Sequence, residues 1–279
     1  MQRRTFLKYA GTTPFLVLPK LITANELHEN KADVPSLNST SMKIQRLAWA
    51  GIKIQVGNTT LFVDASVSEN DSRLAAETEA RHAIITHHHT DHYDIAALKT
   101  VLTEKSWLIY YQEVASLIDA RAFRSQTAKL FEPVFIPRSG NDLMAVAVPA
   151  VDGFGHPQVS WVIDGGGKRV IHCGDTLWHG YWWDIARLYG PFDIAFMPIN
   201  GFRQVSGRYT DSGIPMALTP GQAVAASKIL GAKTICPIHY GRHDKNYFEV
   251  AEPESNFLKT AKEYGISTLV LKQNEWVNW

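Results

Sequence analysis

One six-residue segment constrains this chain more than any other. Residues 87–92 read HHHTDH, and they follow the apolar run AIIT at 83–86. Neutral imidazole nitrogens and carboxylate oxygens are the ligands that suit zinc and neighbouring first-row cations. These side chains can converge on a metal ion only if the backbone leaves a strand and turns sharply at this point. The segment therefore predicts a metal site at the end of a buried strand, in preference to a solvated histidine-rich loop.

Four further segments carry a potential ligand beside an apolar run. In chain order they are Asp64 after LFV (61–63), His156 before VSWVI (159–163), Asp175 after VIHCG (170–174) and His239 after TICPI (234–238). This ordered set resembles the metallo-β-lactamase superfamily over residues 43–279. The resemblance implies an α/β fold, the αββα sandwich, in which two β-sheets face each other, helices lie outside and metal ions bind at one edge.

The resemblance also implies two divalent metal ions held by seven side chains. His87, His89 and His156 would hold the first ion, Asp91, His92 and His239 the second, and Asp175 would bridge both. Zinc is the expected metal, with Mn²⁺ or iron as alternatives. A hydroxide shared by two such ions attacks a carbonyl or phosphorus centre, and the metal charge stabilises the oxyanion. Asp91 is the catalytic candidate that orients this hydroxide and carries its proton.

Other polar residues near these ligands are expected to support them or to compete with them. Asp152 is an alternative ligand for the first metal ion. Asp64 is expected to brace the ligand loop, whereas alternation along the segment should turn His88 away from the metal ions. His172 and His243 flank ligand strands and are candidates to hydrogen-bond the ligands.

Substrate-binding candidates lie in two segments after the bridging carboxylate. Residues 177–183 read LWHGYWW, in which Trp178 would form an apolar pocket wall and His179 would bind substrate or protonate a leaving group. Helical core packing is the alternative for the tryptophans of this segment. A later loop contains Arg203 and Arg208, which would either hold an anionic substrate or be ordinary surface arginines.

The expected reaction is hydrolysis of an ester, lactone, amide or phosphodiester bond in a small molecule or lipid. PING at 198–201 and PIHYG at 237–241 resemble the branch that contains ascorbate-6-phosphate lactonase and N-acyl-phosphatidylethanolamine phospholipase D. Trp49 departs from that branch, which commonly has histidine there. An iron-dependent oxidoreductase similar to sulfur dioxygenases is the alternative on the same fold, and a non-enzymatic metal-binding protein is a third hypothesis.

The first 42 residues are expected to lie outside this domain. Residues 1–24 resemble a twin-arginine signal peptide, with RR at 3–4 and a short apolar stretch at 9–18. Residues 25–42 are polar and predict a linker, so the hydrolase domain spans 43–279. The expected location is the periplasm, reached through the twin-arginine export machinery, with membrane association if the signal is retained.

The charge balance argues against nucleic acid binding, and the cysteine count excludes a zinc site made of cysteines. The chain has 28 basic and 27 acidic residues; residues 1–24 hold four of the basic and none of the acidic ones, so 24 against 27, or −3, remains. Phosphate-backbone binding needs clustered positive charge, so no nucleic acid partner is expected. Cys173 and Cys236 are too few for a cysteine zinc site and are predicted to be free buried thiols. The sequence leaves the oligomeric state open.

Local signals predict three elements in detail. Asp94 is a predicted N-cap for a helix with Ile95, Leu98, Val101 and Leu102 on its apolar face. Thr219 begins a capping box for a second helix that ends at Gly231. The sequence DGGGK at 164–168 predicts a hairpin between two strands.

Overall fold

The computed structural model describes residues 41–66, 80–137, 143–204, 210–242 and 247–279. The predicted signal peptide and all but the last two residues of the predicted linker lie outside these ranges. Across the described ranges, no helix is both long and apolar enough to cross a membrane.

The first β-sheet has six strands that lie side by side in chain order. They are β1 (Lys43–Arg46), β2 (Ile52–Val56), β3 (Thr59–Val63), β4 (Ala80–Ile85), β5 (Leu108–Tyr111) and β6 (Ser125–Ala128). β1, β2 and β3 pair antiparallel, whereas β3 to β6 run parallel. β3 and β4 are buried along nearly their whole length, as the apolar runs before Asp64 and before residue 87 predict.

The second β-sheet has seven strands in the order β15-β13-β11-β10-β9-β8-β7. They are β7 (Pro133–Phe135), β8 (Leu143–Pro149), β9 (Val159–Gly165), β10 (Lys168–His172), β11 (Ile194–Pro198), β13 (Thr234–Ile238) and β15 (Ser267–Thr268). The predicted hairpin is confirmed between β9 and β10, where Gly166 and Gly167 have positive φ. A small ribbon pairs β12 (Arg203–Gln204) with β14 (Tyr247–Phe248).

The two large sheets pack face to face around a shared core. Phe62 and Ile84 of the first sheet join Trp161 and Phe196 of the second in one buried hydrophobic cluster. Trp161 also donates a hydrogen bond of 2.9 Å from Nε1 to the carbonyl oxygen of Ile85, which satisfies the indole inside the core. The predicted sandwich is confirmed.

Four α-helices complete the described part of the fold. They are α1 (Ile95–Val101), α2 (Trp182–Tyr189), α3 (Pro220–Ile229) and α4 (Pro253–Tyr264), and two short 3-10 helices (Gln112–Ser116 and Ala120–Ala122) follow β5. A second buried cluster, which includes Trp182, Val224 and Phe257, lies between α2, α3, α4 and the outer face of the second sheet.

The predicted helix caps form, with one error in the predicted apolar face. Asp94 caps α1, and Thr219 and Gln222 form the capping box of α3, which Gly231 follows with φ 66°. Ile95, however, is 42% exposed, because α1 is short and presents only Ala97 and later residues to the sheet.

The carboxyl ends of several strands meet at one edge of the sandwich, which we call the ligand rim. β3 and β4 are parallel neighbours, so Asp64 and residues 87–92 leave the first sheet together. β10 and β13 run parallel on either side of β11, so Asp175 and His239 leave the second sheet together. Two successive antiparallel pairings give β8 the direction of β10, and Asp152 follows β8 at the same edge.

Candidate metal centre

Imidazoles and carboxylates meet at the ligand rim in three groups whose ligand-type atoms lie within 4.8 Å of one another. The first group comprises His87, His89, Asp152 and Asp175, the second Asp91, His92 and His239, and the third His88, His89 and His156. Six of the seven residues predicted as ligands therefore lie in the first two groups. The seventh, His156, lies in the third.

A buried hydrogen-bond chain orients the first imidazole. Asp64 accepts hydrogen bonds from the backbone N–H and from the hydroxyl of Thr86, each at 2.7 Å. Because the Thr86 hydroxyl proton points at Asp64, its oxygen accepts from Nδ1 of His87, 3.0 Å away. Nε2 of His87 then carries a lone pair. Asp64 therefore braces the ligand loop, as predicted.

Asp64 orients His92 in the same way. Its Oδ2 accepts from Nδ1 of His92 at 2.8 Å, so in the neutral form of the ring, which a metal ion would bind, the lone pair lies on Nε2. The Nε2 atoms of His92 and His239 lie 3.7 Å and 3.5 Å from the same oxygen of Asp91. Both nitrogens are buried, and neither has a hydrogen-bond partner within the described residues.

Asn200, in the turn that follows β11, contacts the Nδ1 side of the His239 ring. Nδ2 of Asn200 lies 3.0 Å from Nδ1 of His239 and donates to the hydroxyl of Tyr247. Oδ1 of Asn200 has no hydrogen-bond partner in the described part of the chain. A half-turn of the amide lets Oδ1 accept the Nδ1 proton and leaves Nε2 free to bind. The sequence motif at 198–201 marked this turn, but neither Asn200 nor Tyr247 was predicted as a site residue.

Trp49, in the loop between β1 and β2 of the first sheet, lies beside the second group. Its Nε1 donates a hydrogen bond of 2.9 Å to Oδ2 of Asp91, and its ring centroid lies 4.3 Å from that of His239. An indole N–H is only a donor, so Trp49 can position Asp91 without competing for a metal ion. This contact gives a physical role to a tryptophan where the sequence resemblance led us to expect histidine.

The backbone is strained at three turns of the rim. Trp49, Asp64 and His239 have φ values of 53°, 45° and 55°, a region that few residues other than glycine adopt. Strain of this kind persists where the surrounding structure enforces it, and it clusters at functional sites.

The turn that leads to Asp175 depends on a glycine and on His172. A Cβ at Gly174, whose φ is 61°, would lie 2.9 Å from Oγ1 of Thr86. Nε2 of His172 donates to the carbonyl oxygen of Ala50 at 2.7 Å, and its Nδ1 accepts from the backbone N–H of Gly174. His172 therefore supports the turn before Asp175 through backbone groups, whereas the predicted hydrogen bond to a ligand side chain is not among these contacts.

Most of the imidazoles are neutral, which is the form that binds metal ions. Burial is the main reason that the pKa values of His89 and His239 are lowered to about 4, and burial also lowers the pKa of His87 well below its usual range. His92 differs: burial opposes its charge, but the carboxylates of Asp91 and Asp64 outweigh burial and raise its pKa to about 10.

The electrostatics of the first group fit a bound cation. Burial raises the pKa of Asp175 to about 7, with further increases from the nearby carboxylates, so its charged form needs a compensating positive charge. Oδ1 of Asp175 and Oδ2 of Asp152 are buried without a hydrogen-bond partner among the described residues. Nε2 of His87 and Nδ1 of His89 face each other at 2.8 Å. This is the distance of a hydrogen bond that shares one proton, and a metal ion bound by both nitrogens would take the place of that proton.

His156 lies on the opposite side of the His89 ring. Its Nδ1 is 3.0 Å from Nε2 of His89, whereas the first group meets at Nδ1 of His89. His88 packs edge-on against His156, with ring centroids 4.7 Å apart. His88 thus belongs to neither of the first two groups.

Aromatic side chains surround the ligands. Phe154 lies edge-on to His89 at 5.5 Å between ring centroids. Phe202 lies 6.2 Å from His239 and stacks on Tyr247 at 4.7 Å. These residues were not predicted; no local pattern marks them, because they come from loops that are far apart in sequence.

The residues predicted to bind substrate have other surroundings. His179 stacks on the core residue Trp182 at 3.9 Å, and Trp178, 38% exposed, packs against Trp182 and Trp183. The core-packing alternative therefore holds for Trp182. No aromatic contact within the described ranges joins Trp178 or His179 to a ligand group.

The loop candidates are only partly described. Arg203 lies in β12 and forms an ion pair of 3.3 Å with Asp211. Arg208 and His243 lie outside the described residues. A substrate-binding role for Arg203 stays a prediction.

The cysteine prediction is confirmed. Cys173 and Cys236 are free and buried. Burial raises the pKa of each thiol to about 12, so both are protonated and unreactive near neutral pH.

Two facing sheets with imidazoles and carboxylates at one rim define a metal-dependent hydrolase of the metallo-β-lactamase fold. The chain belongs to the β-lactamase superfamily, because residues 59–240 match the family described as the β-lactamase superfamily domain.

Proteins similar to this chain include a metal-dependent hydrolase, a metallo hydrolase and a diiron hydroxylase. A UPF0173 metal-dependent hydrolase of Methanospirillum hungatei is 26% identical over 218 residues, which cover 76% of this chain and 88% of the relative. Igni18, a metallo hydrolase from Ignicoccus hospitalis, has a TM-score of 0.66 at 19% identity and covers 85% of this chain and 97% of its own. CmlA, a diiron β-hydroxylase from Streptomyces venezuelae, has a TM-score of 0.67 at 15% identity, with 86% and 54% covered. Both structural likenesses concern the fold.

Proposed function

We propose that this metal-dependent hydrolase binds two divalent cations and cleaves an ester, lactone, amide or phosphodiester bond in a small molecule or lipid. The observation that carries the proposal is the position of Asp175. Its Oδ2 lies 3.6 Å from Nε2 of His87, and its Oδ1 is buried without a hydrogen-bond partner among the described residues. Oδ2 would bind the cation of the first group together with His87, and the unpartnered Oδ1 would be available to a second cation.

The proposed ligands divide between the two cations. His87 and His89 would hold one cation, Asp91, His92 and His239 the other, and Asp175 would bridge them. When bound, two such cations lower the pKa of a shared water towards neutrality and stabilise negative charge on the substrate. Zinc is the metal we propose first, with Mn²⁺ and iron as alternatives.

Asp91 is positioned to orient a water molecule and to move its proton. Burial opposes ionisation of Asp91, but the imidazoles of His92 and His239 outweigh burial and hold the pKa well below its usual range. The side chain is 31% exposed, so the carboxylate is open to the substrate side while Trp49 fixes its Oδ2. The ionised carboxylate can accept a hydrogen bond from a water molecule and so orient it, while its low pKa makes the transfer of that proton depend on the charge of bound cations.

The aromatic surroundings support a substrate with an apolar part. Trp49, Phe154, Phe202 and Tyr247 provide ring faces and edges beside the ligands. Pockets lined by such rings with few polar groups bind apolar parts of small molecules. Trp178 and His179 could extend such a surface only through a substrate that reaches beyond these rings.

An iron-dependent oxidoreductase, similar to sulfur dioxygenases, is the second candidate. It is favoured by the extra carboxylate of Asp152 beside His87 and His89, since oxygen ligands suit harder cations than an all-histidine set. The similarity in fold to a diiron β-hydroxylase is weak support for the same alternative.

Metal analysis combined with a substrate panel tests the proposal. Protein purified without added metal is analysed for zinc, manganese and iron, and is assayed with aryl esters, lactones, anilides and bis-aryl phosphates. We expect two metal ions per chain and turnover that a chelator removes and the same metal restores. Iron content with oxygen uptake and no hydrolysis would replace the hydrolase by the oxidoreductase.

We also propose that the protein is exported. The twin-arginine signal of residues 1–24 would send the folded, metal-loaded protein to the periplasm, with membrane association if the signal is retained. Fractionation of cells that express the chain with RR at 3–4 or with KK there would test it, since the KK variant should stay in the cytoplasm.

A further inference from the structure

We propose that Asp152, and not His156, completes the first metal site; this inference rests on the two-cation function proposed above. Asp152 and Asp175 occupy equivalent positions at the ligand rim. β8 ends at Pro149 and β10 ends at His172, and in each case a buried aspartate follows after three residues. The two strands run in the same direction, so both carboxylates emerge at the same edge.

The carboxylate of Asp152 is fixed in orientation and has one oxygen unused. Its Oδ1 accepts hydrogen bonds from the backbone N–H groups of Phe154, at 2.7 Å, and His156, at 3.0 Å. Its side chain is completely buried, and Oδ2 lies 3.6 Å from Nδ1 of His89 with no hydrogen-bond partner among the described residues. A buried carboxylate oxygen is costly unless it is paired, and a cation would pair it.

The hydrogen bond between His89 and His156 removes His156 from the ligand set. To join His87 and Asp152, His89 must offer a lone pair on Nδ1, so its proton resides on Nε2. That proton is donated to Nδ1 of His156, 3.0 Å away, and this bond uses the lone pair of that atom. If His156 donated instead, the proton of His89 would move to Nδ1 and His89 would cease to be a ligand. His156 is therefore the hydrogen-bond partner that orients His89.

This assignment changes the chemistry of the first site. Two imidazoles and two carboxylates replace a set of three imidazoles and one carboxylate. Oxygen ligands suit Mn²⁺ and Fe²⁺ better than nitrogen ligands do, so the preference for zinc over manganese is smaller than three imidazoles would impose.

A titration of metal-free protein with Mn²⁺, followed by the electron paramagnetic resonance signal of the free ion, tests the assignment. We expect two bound ions per wild-type chain. Asp152→Asn keeps the oxygen that accepts the two backbone N–H groups but loses the free carboxylate oxygen. One ion should therefore be lost or bound more than about 100-fold more weakly, beyond the usual effect of a residue that only orients a ligand. Asp152→Ser is a second variant that also retains a loop acceptor.

His156→Ala separates the two candidates. It should still bind two ions, with the weaker affinity reduced about 10-fold, because it removes only the partner of His89. Asp184→Asn, which changes an exposed carboxylate on α2, is the matched control and should bind as wild type does. Circular dichroism and thermal unfolding of each variant establish that it is folded.

The possible outcomes are distinct. Two ions in a folded Asp152→Asn or Asp152→Ser variant with wild-type affinity would overturn the assignment, as would loss of one ion from His156→Ala. Wild-type protein that binds fewer than two ions, of either Mn²⁺ or Zn²⁺, would overturn the two-cation function itself together with this inference.

Discussion

The two halves of the candidate metal centre are built differently. Each candidate ligand of the second group has a partner elsewhere in the chain: the buried Asp64 orients His92, the buried Asn200 contacts His239, and the half-buried Trp49 donates to Asp91. In the first group, the fourth position depends on the loop after β8, which presents both the buried carboxylate of Asp152 and the imidazole of His156, whose side chain is 37% exposed. The sandwich thus enforces the arrangement of the second group, whereas the composition of the first group depends on a loop, which can change without disturbing the sheets.

Asp175→Ala should have the largest effect, because this carboxylate serves both halves. We expect loss of both metal ions and a fall in turnover of about 1,000-fold or more, since metal charge supplies several kcal/mol of transition-state stabilisation. Elemental analysis and aryl-ester hydrolysis measure the two effects, with Asp184→Ala as the control. Normal activity in the Asp175 variant would refute the bridging role.

Asp64→Asn should have the next largest effect, on metal binding by the second group. The amide would present its N–H to Nδ1 of His92 or to Thr86, both of which now donate to the carboxylate. We expect the affinity for the second ion to fall about 10- to 100-fold, as is usual for partners that orient a ligand. Calorimetric titration with Zn²⁺ measures it. Asp64 reaches the first group only indirectly, through Thr86 and His87, so the first ion should weaken less than the second; equal or greater weakening of the first ion would contradict the division into halves.

Trp49→Phe should have a smaller effect on the same half. It removes the N–H that positions Asp91 but retains an aromatic ring beside His239. A decrease of about 10-fold in turnover, with two metal ions still bound, is expected from loss of an orienting hydrogen bond. Trp276→Phe, at the surface, is the control. If the double variant of Trp49 and Asp91 were additive, the two side chains would act independently.

His88→Ala should have the smallest effect, although it lies between two ligands. Its ring meets His156 and contributes to neither of the first two groups. Metal content and turnover should stay within about 2-fold of wild type, the usual range for substitutions outside such features. His87→Ala, assayed in parallel, should lose metal and turnover. A loss of one metal ion from the His88 variant would place the third group, and not the first, at the centre of the site.

Much of the fold could be predicted because its signals are local. The apolar run before residue 87 and the hairpin glycines at 165–167 indicate strands and turns within a few residues of chain. The caps at Asp94 and Thr219 formed for the same reason. The apolar face of α1 was wrong at Ile95, because packing of a seven-residue helix depends on where it meets the sheet and not on periodicity alone.

The sequence by itself determined which kinds of ligand reach the rim and in what order, since each of them ends or follows an apolar strand. Only the tertiary structure decided how they face one another: that Nε2 of His89 meets His156 while Nδ1 turns to Asp152, and that Trp49 reaches across to Asp91. The physical reason is that protons and lone pairs point in fixed directions from each ring and carboxylate. Whether two of them match depends on distances between strands of different sheets, which spacing along the chain does not encode.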